Sequence, residues 1–149
     1  MYISKEGLEK LKQELDQRVH DTRRNIAEAI SVAKEHGDLS ENFEYQDAKE
    51  QQALNEARIA QLEEMVHNAV VVEETSGGDV IQLGCTFRAR INGREKTYQM
   101  VGSHDADPVA CKISNESPLG RALIGHGAGE DILVKTPAGE VAYTILEII

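Results

Sequence analysis

Leu8, Leu11, Leu15, Val19, Thr22, Ile26, Ile30 and Ala33 follow one another at steps of three or four residues. Charged and polar side chains fill the positions between. That spacing draws one narrow apolar stripe along a helix running from Ser4 to about His36. Ser4 is placed to cap its start, with Gly7 a weak point in the first turn. A helix of about 33 residues would be roughly 50 Å long. A second stripe, Tyr45, Ala48, Gln52, Asn55, Ile59, Leu62, Val66 and Ala69, alternates by three and four as a heptad seam does. Gln52 and Asn55 are its polar members. No proline falls between Met1 and Pro108, so nothing breaks either helix by that route. Both stripes are too narrow to wrap a globular core. The pattern therefore predicts an antiparallel two-helix coiled coil, joined by a short connection around Gly37–Ser40.

The period changes near Thr75. Ser76-Gly77-Gly78-Asp79 reads as a linker or turn, and short β-branched segments follow: Val80–Leu83, Cys85–Ile91, Lys96–Val101, Asp131–Lys135 and Val141–Ile149. Asn92-Gly93 predicts a hairpin turn between two of them, and Pro137-Ala138-Gly139 predicts another. Between the hairpins lies one short helix, Pro118–Ile124. Ser117 can cap it, Pro118 suits its first position, and Gly125 ends it. The fold class is α+β: residues 1–75 as an antiparallel coiled-coil hairpin, then residues 76–149 as a small, mostly-β domain with one short helix.

Composition narrows the function. Trp is absent and aromatics are 4% of the 149 residues, so neither a large aromatic pocket nor a base-stacking platform is expected. The net charge is −10: residues 1–75 carry 9 basic and 17 acidic side chains, the remainder 7 and 9. Such a chain is poorly equipped to grip duplex DNA unaided, because backbone binding relies on Lys and Arg. No apolar run approaches membrane-spanning length, and the charged start lacks the apolar middle of a secretory signal. The expected location is the cytoplasm, with no membrane partner. Cys85 and Cys111 match no metal or redox spacing and read as apolar filler. The five histidines are scattered and do not suggest a metal site.

The strongest local signal is the connection itself. Glu35, Asp38, Glu41, Glu44, Asp47 and Glu50 place a carboxylate at every third position, and within that stretch only Lys49 answers them. Helix chemistry accounts for part of this. Gly37 can close the first helix, Asp38 can cap the second, and Glu41 can complete a capping box. Early carboxylates also face the positive end of a helix dipole. A chemical reading uses the same residues. Two carboxylates at a bend are natural Mg²⁺ ligands, but two alone form an incomplete site. They suit completing a metal site inside a partner, where the metal would activate water against a phosphodiester. For the same reason a free-standing metal nuclease is not expected.

Two stretches carry a family resemblance. His36–Gln52, HGDLSENFEYQDAKEQQ, closely resembles the tip motif of the Gre transcript cleavage factors of bacterial RNA polymerase, of the GreA type. Ile113–Gly125, ISNESPLGRALIG, with Val134–Ile148, VKTPAGEVAYTILEI, is similar to that family's C-terminal domain. The order and spacing of the two also agree, and the resemblance covers nearly the whole chain. It implies that the coiled coil enters the secondary channel of a backtracked elongation complex. There Asp38 and Glu41 would help hold a Mg²⁺ shared with the polymerase, none being bound alone. The polymerase's own active site would then cut the nascent RNA near its 3′ end. Asn42, Glu44 and Tyr45 would support the tip. Lys49 and Arg58, nine residues apart and so not on one helical face, would contact RNA. Glu116, Ser117 and Pro118 would dock on the polymerase rim. The C-terminal domain would resemble FK506-binding proteins, without isomerase activity following from that. Asp47 and Phe43 depart from the motif, where small residues are frequent, and Phe43 is expected to cover the turn.

Two other readings stand beside this one: a Gre-like channel occupant that inhibits, which the intact GDLSEN motif disfavours, and a coiled-coil adaptor without metal chemistry. The polar seam members are compatible with a monomeric hairpin.

Overall fold

Each narrow stripe finds its cover in the other helix. The computed structural model describes residues 1–38 and 41–149. By their contacts these form two units, Leu8–Asn68, and Met1–Gly7 with Ala69–Ile149. The sequence division at Thr75 differs from this partition in two places. The first seven residues, and those from Ala69 onward, group with the β-rich unit.

In the helical unit, α1 (Lys5–Gln17) continues through a turn of π-helix (Arg18–Thr22) into α2 (Arg23–Lys34), and α3 (Phe43–His67) returns. Every stripe position from Leu8 to Ala33 and from Tyr45 to Ala69 is buried or half-buried. Leu11, Ala33, Ala48, Ile59 and Leu62 are the most enclosed apolar members. The π-turn was not foreseen, and the seams supply its reason. Seven stripe positions from Leu11 to Ala33 span 23 residues, whereas seven from Tyr45 to Val66 span 22. Two facing seams of equal layer number but unequal length need one residue taken up, and a single-turn π-bulge does that without breaking the helix.

Polar side chains tie the arms together beside the seam. Arg58 donates from Nε and Nη2 to the two oxygens of Glu14, both at 2.9 Å. Arg18 Nε donates to the same carboxylate at 2.8 Å. Further along, Arg23 grips Glu56 in a bidentate pair at 2.7 and 2.8 Å.

The other unit begins with a strand that the sequence pattern does not announce. β1 (Tyr2–Ser4) pairs in parallel with β2 (Val70–Val72), just after α3 ends. Ser4 still caps α1: its Oγ accepts from Gly7 N–H at 3.0 Å. Asp105 then holds Ser4, accepting from its backbone N–H at 2.6 Å and from its hydroxyl at 3.0 Å. A five-stranded sheet follows, ordered β5 (Lys112–Ser114), β4 (Arg94–Val101), β3 (Thr86–Ile91), β7 (Gly139–Ile148), β6 (Asp131–Thr136). All neighbours are antiparallel except β4 and β5. Asn92 and Gly93 have φ of 51° and 76°, the paired positive values of a two-residue hairpin turn. Phe87, Ala89, Tyr98, Met100, Ile113 and Ile145 build the core with Leu123 of α4 (Pro118–Leu123). The Phe87 and Tyr98 rings stack at 5.7 Å, and burial pushes the Tyr98 hydroxyl up to about 12. Cys85 lies wholly in this core and Cys111 is half-buried, both as free thiols.

Val80–Leu83 is not a strand. Ile81 is buried, but its N–H and carbonyl bond to the turn at His126 and Gly125 rather than to a neighbouring strand. The overall organisation, a helix hairpin followed by a mostly-β unit with one short helix, agrees with the sequence reading. Among the described residues no helix is long and apolar enough to cross a membrane.

The hydrogen bonds from Arg58, seconded by Arg18, hold the Glu14 carboxyl at about 2, down from 4.5. A carboxyl depressed by folding stabilises the native state above its unfolded value, and that contribution is lost as pH falls through the folded one. Thermal melts of the wild type should therefore lose midpoint temperature between pH 4.5 and about 2. In Glu14→Gln the decline over that window should be shallower and the neutral-pH midpoint lower. Equal slopes for the two proteins would contradict this assignment.

Candidate functional site

The hairpin connection is built from two closures. At the end of α2, Glu35, His36 and Gly37 each donate a backbone N–H three residues back, at 3.2, 3.2 and 3.3 Å. Gly37 then turns the chain with φ of 97°, a conformation that disfavours a side chain. At the start of α3 the N-cap is Asn42, whose Oδ1 accepts from Tyr45 N–H at 3.1 Å. The same side chain donates from Nδ2 to the Ala33 carbonyl at 2.7 Å. One amide thus starts α3 and gives the Ala33 carbonyl of α2 a second donor beside His36 N–H.

This corrects the expected capping box. The cap is Asn42, not Asp38, so Glu41 is not its third-position partner. Asn is as good a cap as Asp, and Asn42 stands directly before the helical run, so sequence held the signal. What sequence could not show is the second bond, which needs Ala33 alongside.

Asp38 and Glu41 are both exposed, and they flank Leu39 and Ser40, the part of the predicted connection outside the described residues. Asn42 and Tyr45 are half-buried against the bend. Glu44 lies in the first turn of α3, where a carboxylate suits the helix dipole. Its Oε2 is 3.5 Å from His36 Nε2, an ion pair when the imidazole carries a second proton. Phe43 does not cover the turn: it is 81% exposed.

The two expected RNA contacts differ in their surroundings. Lys49 is exposed on α3 and donates to Gln52 Oε1 at 2.8 Å. Arg58 is engaged within the hairpin by Glu14 and by Gln61, the latter at 2.7 Å. That leaves Lys49 as the cation of the pair without a carboxylate partner among the described ion pairs.

In the β-rich unit the expected docking residues lie on one fixed loop. Ser117 Oγ accepts from Gly120 N–H at 3.0 Å and donates to the Ser114 carbonyl at 2.7 Å. Ser114 Oγ accepts from Glu116 N–H at 3.1 Å. Gly120 must be a glycine, since a Cβ would strike the Ser114 carbonyl oxygen. Glu116 and Pro118 are left exposed on this frame, and Ser117 is turned inward as cap.

Among the described residues no three His, Cys, Asp or Glu side chains gather as a metal site. The donor chemistry of Asp38 and Glu41 nonetheless fits a hard cation such as Mg²⁺. They are two exposed carboxylates, with cap duty carried by Asn42, and a complete set would need oxygens from elsewhere.

The chain is thus a helix hairpin with a carboxylate-rich bend, joined to a small β unit with a braced, exposed loop. Residues 1–71 match the family model for the transcription elongation factor N-terminal domain. Residues 74–149 match the C-terminal model of transcription elongation factors GreA and GreB. The chain is 44% identical to transcription elongation factor GreA of Halalkalibacterium halodurans over 150 residues, covering 99% of this chain and 95% of that one. It is 46% identical to GreA of Shouchella clausii at the same coverage. Against GreA of Bacillus subtilis the identity is 43%, covering 98% and 94%. A crystal structure of GreA factor homolog 1 from Thermus thermophilus aligns over 100% of this chain and 98% of that one, at 31% identity and a TM-score of 0.43. The chain belongs to the GreA/GreB family of transcription elongation factors.

Asn42→Ala should lower hairpin stability by about 1–2 kcal/mol, since it removes a cap and leaves the Ala33 carbonyl without this donor. Asn42→Asp keeps the cap acceptor but not the Nδ2 donor, and should fall between the two. Chemical denaturation of the three proteins reads this directly. An Asn42→Asp protein as stable as wild type would show that the bond to Ala33 contributes nothing.

Proposed function

We propose that this chain stimulates transcript cleavage by RNA polymerase, lending carboxylates rather than catalysing alone. The hairpin enters the secondary channel of a backtracked elongation complex and presents Asp38 and Glu41 beside the polymerase's catalytic centre. The observation that carries this reading is the Asn42 amide bonded to both helix ends, with Asp38 and Glu41 exposed on either side of the bend. The α3 cap is carried by Asn42 rather than by either carboxylate.

Asp38 and Glu41 would complete the coordination of a Mg²⁺ otherwise held by the polymerase. When bound there, the ion supplies Lewis acidity and a more acidic water for attack on a phosphodiester. The chain's own residues do the placing. Gly37 reverses the backbone, Asn42 fixes the start of α3, and Glu44 adds negative potential behind the pair. Two carboxylates 4 Å apart repel by only about 1 kcal/mol in water, so the arrangement is tolerable before docking. Lys49 is placed for the backbone of the extruded RNA, as a point charge suits phosphate. Glu116 and Pro118 offer the docking contact, because their loop is held by Ser114 and Ser117. No membrane contact is involved, and the factor works as a monomer in the cytoplasm.

Stalled, backtracked elongation complexes with end-labelled RNA and Mg²⁺ test this. Wild type should shorten the RNA. Asp38→Asn/Glu41→Gln should lower the cleavage rate by about 10²-fold or more while still competing with wild type for the polymerase, as loss of a charge-stabilising group does. Equal cleavage by both would remove the bend from the mechanism. Binding without cleavage by wild type would make the protein an inhibitor, and cleavage of RNA without polymerase would make it a nuclease.

A further inference from the structure

Asn55 is the one buried polar residue among the described residues, 4% exposed in the seam. A buried amide is costly unless both halves are hydrogen-bonded. Here both are, and by one residue: Arg18 Nη1 donates to Asn55 Oδ1 at 3.2 Å, and Asn55 Nδ2 donates to the Arg18 carbonyl at 3.3 Å. Arg18 opens the π-turn, and its carbonyl also accepts from Arg23 N–H, five residues on. The amide therefore meets the helix where the extra residue is inserted. Next to it Arg58 clamps Glu14, which Arg18 also holds, so two linked polar contacts between the arms require the same alignment.

The apolar seam alone does not require it. Its steps of three and four repeat, so sliding one arm by a single step, about 5 Å, again pairs apolar with apolar. The slip would carry the Asn55 amide away from Arg18 and part Glu14 from Arg58. A buried polar residue that fixes register at some cost in stability is the best-attested use of such residues. We propose that Asn55, backed by the Glu14–Arg58 clamp, is a positioning residue that sets the axial stagger of the two arms and so the place at which Asp38 and Glu41 are held. The consequence for cleavage rests on the function proposed above; the stagger itself does not.

The test uses the full chain with spin labels at Glu28→Cys and Gln51→Cys, both exposed, in a Cys111→Ser background; Cys85 is buried and stays unlabelled. The parent should give one narrow label-to-label distance. Asn55→Leu should melt at or above the parent temperature, yet show more than one distance population and a cleavage rate lower by about tenfold or more, as misplacement of a reacting group implies. Arg58→Met, which leaves the seam intact, should shift distances and cleavage the same way and serves if Asn55→Leu does not fold. A single unchanged distance in both variants overturns the proposal whatever cleavage does. A melting temperature falling in step with cleavage, with one distance population, reduces Asn55 to a structural role and overturns it too. Broadened distances with undiminished cleavage overturn the link to the bend. If the labelled parent itself fails to stimulate cleavage, the functional reading fails while the distances still decide the stagger.

Discussion

Two helices that each expose one apolar ribbon to water have a single economical remedy, which is to lay the ribbons together. Everything else in the helical unit is organised around that mutual cover. The ribbons are too narrow for a third partner, so the outer faces stay charged. The unequal spacing of the two seams forces a π-turn into one arm. The polar groups that cross between the arms then have fixed addresses, Glu14 with Arg58 and Arg18 with Asn55. Burial of the ribbons gives cohesion, which has no preferred alignment of its own. The hydrogen bonds add little net energy, typically about 1 kcal/mol each, but they distinguish one alignment from the next.

The bend shows the same division of labour on a smaller scale. Helix ends carry unsatisfied backbone groups, and a carboxylate-rich connection could have used its acids to answer them. Asn42 instead caps α3 with a neutral amide and adds a donor to the Ala33 carbonyl. The acids at Asp38 and Glu41 are exposed, at a position where repulsion is screened by water. A neutral brace beside charged, exposed groups suits the function proposed above, in which the carboxylates are lent to a partner's site.

Much of this was legible in the residues. The stripes from Leu8 to Ala33 and from Tyr45 to Ala69, the Ser4 and Ser117 caps, the Asn92-Gly93 turn and the Ser117-Pro118 helix start all depend on local periodicity or local backbone chemistry, which sequence states directly. The readings that failed depend on partners far away in the chain. Tyr2–Ser4 and Val70–Val72 are too short to announce themselves as strands and exist because they pair with each other. Lys112–Ser114 is a strand because β4 lies beside it. Val80–Leu83 has the composition of a strand but no neighbour to pair with. Asp38 looked like the cap because only the structure shows Asn42 reaching Ala33. At the bend the acidic residues were visible at once; Arg58 read as an RNA contact because Glu14 is 44 positions distant.

The pairing of β1 with β2 has a consequence for how the molecule is made. The strands that bracket the helices, Tyr2–Ser4 and Val70–Val72, lie side by side, so the whole hairpin is an excursion between two adjacent points of one small sheet. During synthesis Tyr2–Ser4 emerges before the helices, yet it has no seat until Val70–Val72, and Asp105 after them, have followed. The arms can zip together while their own root is still waiting. The same closeness of entry and exit makes the hairpin a natural cassette, exchangeable between relatives by cutting at two neighbouring strands while the β-rich unit keeps its connectivity.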